Sequence, residues 1–200
     1  MVSISKALIP PCGVLESTWL GYHEPYTTRM LNSFVGQMMV SAGHAAIAET
    51  NGLIPFEVRV LEPIRTLCEK IMSLVRFSYG ENPISDLKNK IRHTYDLHQL
   101  LQQKEYSDFF HSPAFDKMLL KVANDDVASF RNNNQWLIYH PNEAMVFKDL
   151  GLVWKELSIV FNGEFRNLVY GDFPKDTAVL EALKMIKERL ATISWTVEVE

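Results

Sequence analysis

From Pro63 onward the chain repeats apolar residues every three or four positions, and that period leaves few folds open. Leu67, Ile71, Leu74 and Val75 recur at helical spacing over residues 63–77, with Pro63 in a first turn, where a missing N–H costs nothing. The same spacing predicts a helix beginning near Ser85 or Asp86 as cap, carrying Leu87, Ile91, Tyr95, Leu97 and Leu101. Another is expected from about Ala114 to Phe130, after "HSP". Residues 151–170 follow with Leu152, Leu157, Val160, Phe161, Phe165 and Leu168. A last helix, capped by Asp176, carries Leu180, Leu183, Ile186, Leu190 and Ile193. Polar breaks such as "YGENPI", "RNNNQW" and "YHPNEA" separate these segments. A helix with an apolar stripe must bury it, so a succession of stripes predicts helices packed on helices.

The first 62 residues read differently. "GVLESTWLG" (13–21) is strand-like, and "PFEVRVL" (55–61) alternates Phe56, Val58 and Val60 with Glu57 and Arg59, so the two are expected to pair. Between them, residues 27–49 place Met30, Phe34, Val35, Met38 and Met39 at helical spacing, although Gly36 and Gly43 weaken that helix. Methionine fills irregular gaps, so this run is expected in the core. Two strands make too small a sheet to stand alone. The expected class is therefore α+β, predominantly α, with a partial sheet of few strands in a first unit, 1–62, and a helical domain over 63–200.

Composition narrows the function. Two hundred residues at 47% hydrophobic and 22% charged suit a globular chain, and a net charge of −4 supplies no global basic field. Residues 59–92 depart from that total, with seven Lys or Arg against four acids. Cys12 and Cys68 form no CxxC, which argues against zinc or a disulfide framework and for a reducing cytoplasm. No apolar run is long enough for a bilayer, and "MVSISKALIPPCG" lacks the core of a signal peptide. The histidines are scattered; His93 and His98 share a helix but stand five apart, the wrong spacing for ligation from one face.

Two charged sets interrupt the helical stripes. Glu69 and Lys70 lie at the edge of the stripe on 63–77, and Lys88, Arg92 and Asp96 are spaced by fours, so that one helix would present them together. On residue type alone each reads as a solvated helix face. The functional alternative has Lys70 reaching over a cleft edge to hold a phosphate as a point charge.

The segments that carry these charges are also the ones with a familiar form. Thr66-Leu67-Cys68-Glu69-Lys70, followed by Arg92-His93-Thr94-Tyr95-Asp96-Leu97-His98-Gln99-Leu100, resembles the "T-x-x-E-K" and "R-H/D-x-Y-D-L-x-x-L" helices of the AbiEii/AbiGii-type nucleotidyltransferase toxins of type IV toxin–antitoxin and abortive-infection systems. "VLESTWLGYHEP" looks like that family's late strand and turn, and "FRNLVYGDFPKDTAVLEAL" like its closing helices. The resemblance implies a nucleotidyltransferase-type sheet followed by a helical domain. It implies transfer of a nucleotide to RNA, a tRNA end being the expected acceptor, with Mg2+ and NTP as the family's cofactor and substrate and a cognate antitoxin as partner. By position, Lys70 and Asp96 would be the catalytic pair, Lys70 on the triphosphate and Asp96 orienting it; Arg92, Lys88 and Glu69 would bind substrate.

One part of the family pattern is missing. Its metals sit on a Gly-Ser turn followed by an Asp-x-Asp strand, and the sequence contains no Asp-x-Asp. Asp125-Asp126 are adjacent, Glu198 and Glu200 close the chain without such a turn, and Glu16 is a weak match to a third carboxylate. The expectation is a chain that begins after its catalytic motif, inactive or incomplete alone and binding neither Mg2+ nor NTP tightly. The alternative is a non-catalytic helical binding module or an antitoxin-interacting remnant.

Overall fold

The computed structural model describes residues 25–199. Two strands, β1 (Tyr26–Leu31) and β2 (Phe56–Leu61), pair antiparallel with Tyr26 opposite Leu61 and Leu31 opposite Phe56. Two short helices, α1 (Phe34–Ser41) and α2 (Ala45–Thr50), fill the connection between them. Eight further helices follow: α3 (Pro63–Phe77), α4 (Pro83–Asn89), α5 (Ile91–Gln102), α6 (Lys104–Phe110), α7 (Pro113–Ser129), α8 (Met145–Lys148), α9 (Leu150–Asn162) and α10 (Asp176–Leu190). The fold is thus mostly helical behind one small antiparallel sheet, the class expected from the apolar periods.

Among the described residues the strand pairing is one that the spacing did not suggest. β2 lies where alternation put it, but its partner is Tyr26–Leu31, a stretch that helical spacing had placed inside a 27–49 helix. The segment 13–21 lies outside the described residues. Tyr26, Thr27 and Thr28 are aromatic and β-branched, types that suit a pleated strand better than a helix. Helix begins only at Phe34, where the Ser33 hydroxyl caps it by accepting from the Gly36 N–H at 2.9 Å. It ends where Gly43 takes a φ of +80°, open to glycine at little cost. Gly36 is needed for a different reason. A Cβ there would stand 2.1 Å from the Leu53 carbonyl oxygen, so the chain beyond α2 can lie against α1 only over a bare backbone.

The methionine-rich run is not core. Met30 is 59%, Phe34 89% and Met38 65% exposed. Split between a strand and a short helix, these side chains no longer share the single face that helical spacing implied.

The core lies in the helical body. α3 is at its centre, packing against α7, α5, α4, α6 and α8. Its Leu67, Ile71 and Leu74 are fully buried with Leu97 of α5, Phe115 and Leu119 of α7, Phe161 of α9, and Leu183 and Ile186 of α10. Full burial of each such side chain contributes about 1.5–3 kcal/mol against its exposed state. Polar ties set the junctions. Ser78 Oγ donates to the Leu74 carbonyl and accepts from the Val146 N–H, joining the end of α3 to α8. Arg189 on α10 donates to Asp116 and to the carbonyls of Phe110 and Ser112, clamping the α6–α7 corner.

Several boundaries moved. The helix expected from Ser85 or Asp86 begins at Pro83, whose ring presets the first turn and leaves Asp86 inside it. It does not run on: Lys90 bonds back to Leu87 over three residues and leaves the helical range, so α5 starts anew at Ile91. The segment 104–110, to which the apolar spacing assigned no helix, is α6. α9 stops at Asn162 before Gly163, which leaves Leu168 in a separate 3-10 turn, Phe165–Leu168, exposed rather than stacked on the stripe. Leu152 is exposed as well. Asp176 is the first residue of α10 rather than its cap, and its carboxylate accepts from Asn162 Nδ2 at 3.2 Å.

A charged seam between α3 and α5

The two motif helices meet at their charges. Lys70 Nζ of α3 donates to Asp96 Oδ2 of α5 at 2.7 Å, and Arg92 Nε stands 3.6 Å from the same oxygen. The side chains of Lys70 and Asp96 are 19% and 22% exposed, whereas that of Arg92 is 57% exposed. Neither member of the central pair is therefore a solvated face residue. Each rises from a buried neighbour, Ile71 behind Lys70 and Leu97 behind Asp96, so core packing sets where the charges emerge.

Tyr95 adds a second anchor. Its ring meets Phe165 edge-on at 5.5 Å and stacks on Phe173 at 6.4 Å, and both belong to an aromatic cluster with Phe161 and Trp154. Such pairs contribute about 0.5–1.5 kcal/mol each beyond area burial. The Tyr-Asp-Leu stretch thus pins α5 with the residues on either side of Asp96. Thr94, fully buried, donates its hydroxyl to the Ile91 carbonyl at 2.7 Å and adds no orphan donor to the seam.

His93 borders this pair. Burial, and secondarily the charges of Lys70 and Lys90, push its imidazolium down to about 4, with Asp96 opposing. The ring is neutral at pH 7, and its buried Nδ1 has no hydrogen-bond partner among the described residues. The charge at the seam is accordingly carried by Lys70, Arg92 and Asp96.

Glu69 faces the other way. Consecutive helical residues diverge by about 100°, and Glu69 accepts from Arg65 Nε at 2.7 Å, while Arg65 Nη1 donates to Asp125 of α7 at 2.8 Å. Arg65 is only 3% exposed. Burial works against its charge, but the two carboxylates outweigh it and raise the guanidinium's hold on its proton. Beside them burial pushes Asp126 up to about 6, against the pull of Arg76, whose guanidinium lies 4.2 Å from the Phe130 ring centre. This α3–α7 network escaped sequence reasoning, although the i,i+4 spacing of Arg65 and Glu69 was its visible half.

The structure therefore brings together Lys70, Asp96 and Arg92. It separates Glu69, which belongs to the α3–α7 face, and Lys88, which donates to Glu156 of α9 at 2.8 Å. Lys88 does not share a face with Arg92 and Asp96 as its spacing suggested, because the turn at Lys90 divides the helix between them. Glu16 lies outside the described residues. Among the described residues no group of three His, Cys, Asp or Glu side chains converges to hold a metal ion. They do not fit a two-metal centre. No described helix is long and apolar enough to cross a membrane.

Comparison with known proteins agrees with the two motif helices. No curated protein and no solved structure matches this chain. The family model for the nucleotidyl transferase AbiEii toxin of type IV toxin–antitoxin systems matches residues 21–176, a span that includes both helices and their charged pair. The chain belongs to the AbiEii nucleotidyl transferase toxin family.

Proposed function

We propose that the α3–α5 seam is the nucleotide side of a transferase site, with Lys70 the cation for the triphosphate of an NTP and Asp96 the group that orients it. The observation that carries this reading is the 2.7 Å bond from Lys70 to Asp96, which joins the two motif helices through half-buried charges. Lysine is a compact point charge on a flexible stem and can leave a carboxylate for a phosphate without moving its helix. Arg92, more exposed and on the same carboxylate, is the second cation. Glu69 and Lys88 enter only by holding neighbouring helices. In this reading the acceptor is RNA, a tRNA end, and an antitoxin is the partner protein. The described residues before Pro63 are then the C-terminal part of a nucleotidyltransferase-like α/β domain, and those from Pro63 onward the helical domain. With no Asp-x-Asp in its sequence, the chain alone is inactive in this reading.

The test is titration of each NTP into the protein. Lys70→Ala should weaken triphosphate binding by about tenfold or more, as expected for loss of a charge-assisted contact. Asp96→Ala should weaken it as well. Neither should cost more than about 1.5 kcal/mol of stability, because the pair is only partly buried. Unchanged binding in both variants would remove the assignment.

A second reading is favoured by the exposed Met30, Phe34, Met38 and Phe56 around the small sheet. A helical binding module that faces an antitoxin would present such a surface. Absence of NTP binding by the unaltered chain, together with capture of a purified antitoxin, would favour it over the first.

A further inference from the structure

A second basic site lies where α8, α9 and α10 meet. Lys148, Lys155, Lys184 and Lys187 line a groove of about 520 Å3, with Asp149 as its single acid. The floor is the first turn of α9, and a Cβ added at Gly151 there would meet nothing within 4 Å. Lys155 is exposed and enters no ion pair among the described residues. Lys148 and Lys184 are held by Glu143 at 3.1 Å and Glu181 at 2.7 Å, in exposed pairs that hold their partners weakly. Lys187 Nζ reaches the Lys148 carbonyl at 3.3 Å, so α10 and α8 share one rim. In a chain of net charge −4, four lysines meet on one concave surface and, against Asp149, Glu143 and Glu181, leave it a positive balance of one.

We propose that this groove binds backbone phosphates of the RNA acceptor. Its lysines surround an apolar floor of Leu150 and Leu152 without an aromatic side chain, so it offers charge to phosphates at its rim and no platform for base stacking. It would hold the strand without reading its sequence. It also lies beside the helix that leads to the seam. Glu156, the residue after Lys155, takes Lys88 of α4, and Lys90 and Arg92 follow along the chain toward Asp96. The inference rests on the nucleotide-transfer reading, which is what calls for a phosphodiester acceptor.

Fluorescence anisotropy with a labelled oligouridine RNA of about 20 nucleotides tests it in the full chain. Lys155→Glu combined with Lys184→Glu replaces exposed side chains and should leave the helical circular dichroism unchanged. It should weaken RNA binding by about tenfold and flatten the dependence of log K on log salt by about 1.4, the loss of two single-strand phosphate contacts. Lys70→Ala should leave RNA affinity within about twofold, since Lys70 does not line the groove. RNA affinity and salt slope unchanged in a folded double variant would overturn the proposal. Competition by inorganic triphosphate as strong as by RNA would overturn the acceptor assignment too, since it would make this a site for small polyphosphates. Loss of NTP binding in Lys70→Ala is a separate readout, so failure of the seam and failure of the groove are told apart.

Discussion

Residues 26–61 and residues 63–193 are both rich in large apolar side chains, yet they use them in opposite ways. In the helical body Leu67, Leu97, Phe115 and Phe161 are fully buried, whereas around the small sheet Met30, Phe34, Val35, Met38 and Phe56 face outward. The difference is one of partners. Each long helix of the body finds several others to cover its stripe, while the two strands mainly meet each other and the two short helices mainly meet each other. An apolar residue becomes core only when another layer lies over it.

Substitutions on the two sides should diverge most at aromatic residues. Phe161→Ala removes a ring packed 4.6 Å from Phe173 and 5.7 Å from Trp154, and should cost about 3–5 kcal/mol in urea denaturation. Phe34→Ser, on the outward surface, should stay within about 0.5 kcal/mol and reduce self-association in light scattering. A cost above 2 kcal/mol at Phe34, on the order of a core truncation, would show that its face is covered.

The two charged networks sharpen the contrast within the body. Arg65→Ala leaves Asp125 and Glu69 facing an unfilled buried site and should cost on the order of 3 kcal/mol. Lys70→Ala, at the more open seam, should cost less than half of that. Equal losses would mean that the seam is structural, and the proposal for Lys70 would lose its main support.

In the unaltered protein the pH effect should be small, because two groups act in opposite directions. His93 is held at about 4 against an ordinary 6.5, so between those values the unfolded chain takes up a proton that the folded chain refuses. Its contribution to stability falls as the solution is acidified through that window. Asp126 is held at about 6 against 3.8, so the folded chain keeps a proton that the unfolded chain releases, and its contribution falls as pH rises. The slopes oppose each other between about 4 and 6 and should partly cancel in the unaltered protein. His93→Gln should expose a stability that declines from pH 4 to pH 6, and Asp126→Asn one that rises, both followed by urea midpoints. Identical profiles in all three proteins would refute the two assignments.

Local pattern was enough to recognise the helical body. Leu67, Ile71 and Leu74 had to share a face, and Pro63 had to stand near a helix start, whatever the rest of the chain did. The motif residues of α3 and α5 were equally legible, since resemblance rests on residue identity along the chain. Pattern failed where two readings were locally equal. Met30, Phe34 and Met38 fit a helical period, but Tyr26–Leu31 gained a full ladder of backbone bonds by pairing with β2, which spacing cannot weigh.

Charges show the same division. That Glu69 and Lys70 are adjacent is written in the chain, but that one turns to α7 and the other to α5 depends on which helices flank α3. Lys88, Arg92 and Asp96 have one spacing, and a turn at Lys90 sends the first to α9 and leaves the others together. The lysines of the α8–α10 groove lie on three helices over forty residues, with no motif to join them. Period and residue type are properties of a few neighbouring residues, so they can be read along the chain. Which charges face one another depends on how whole helices pack, and that is settled by burial over the entire body.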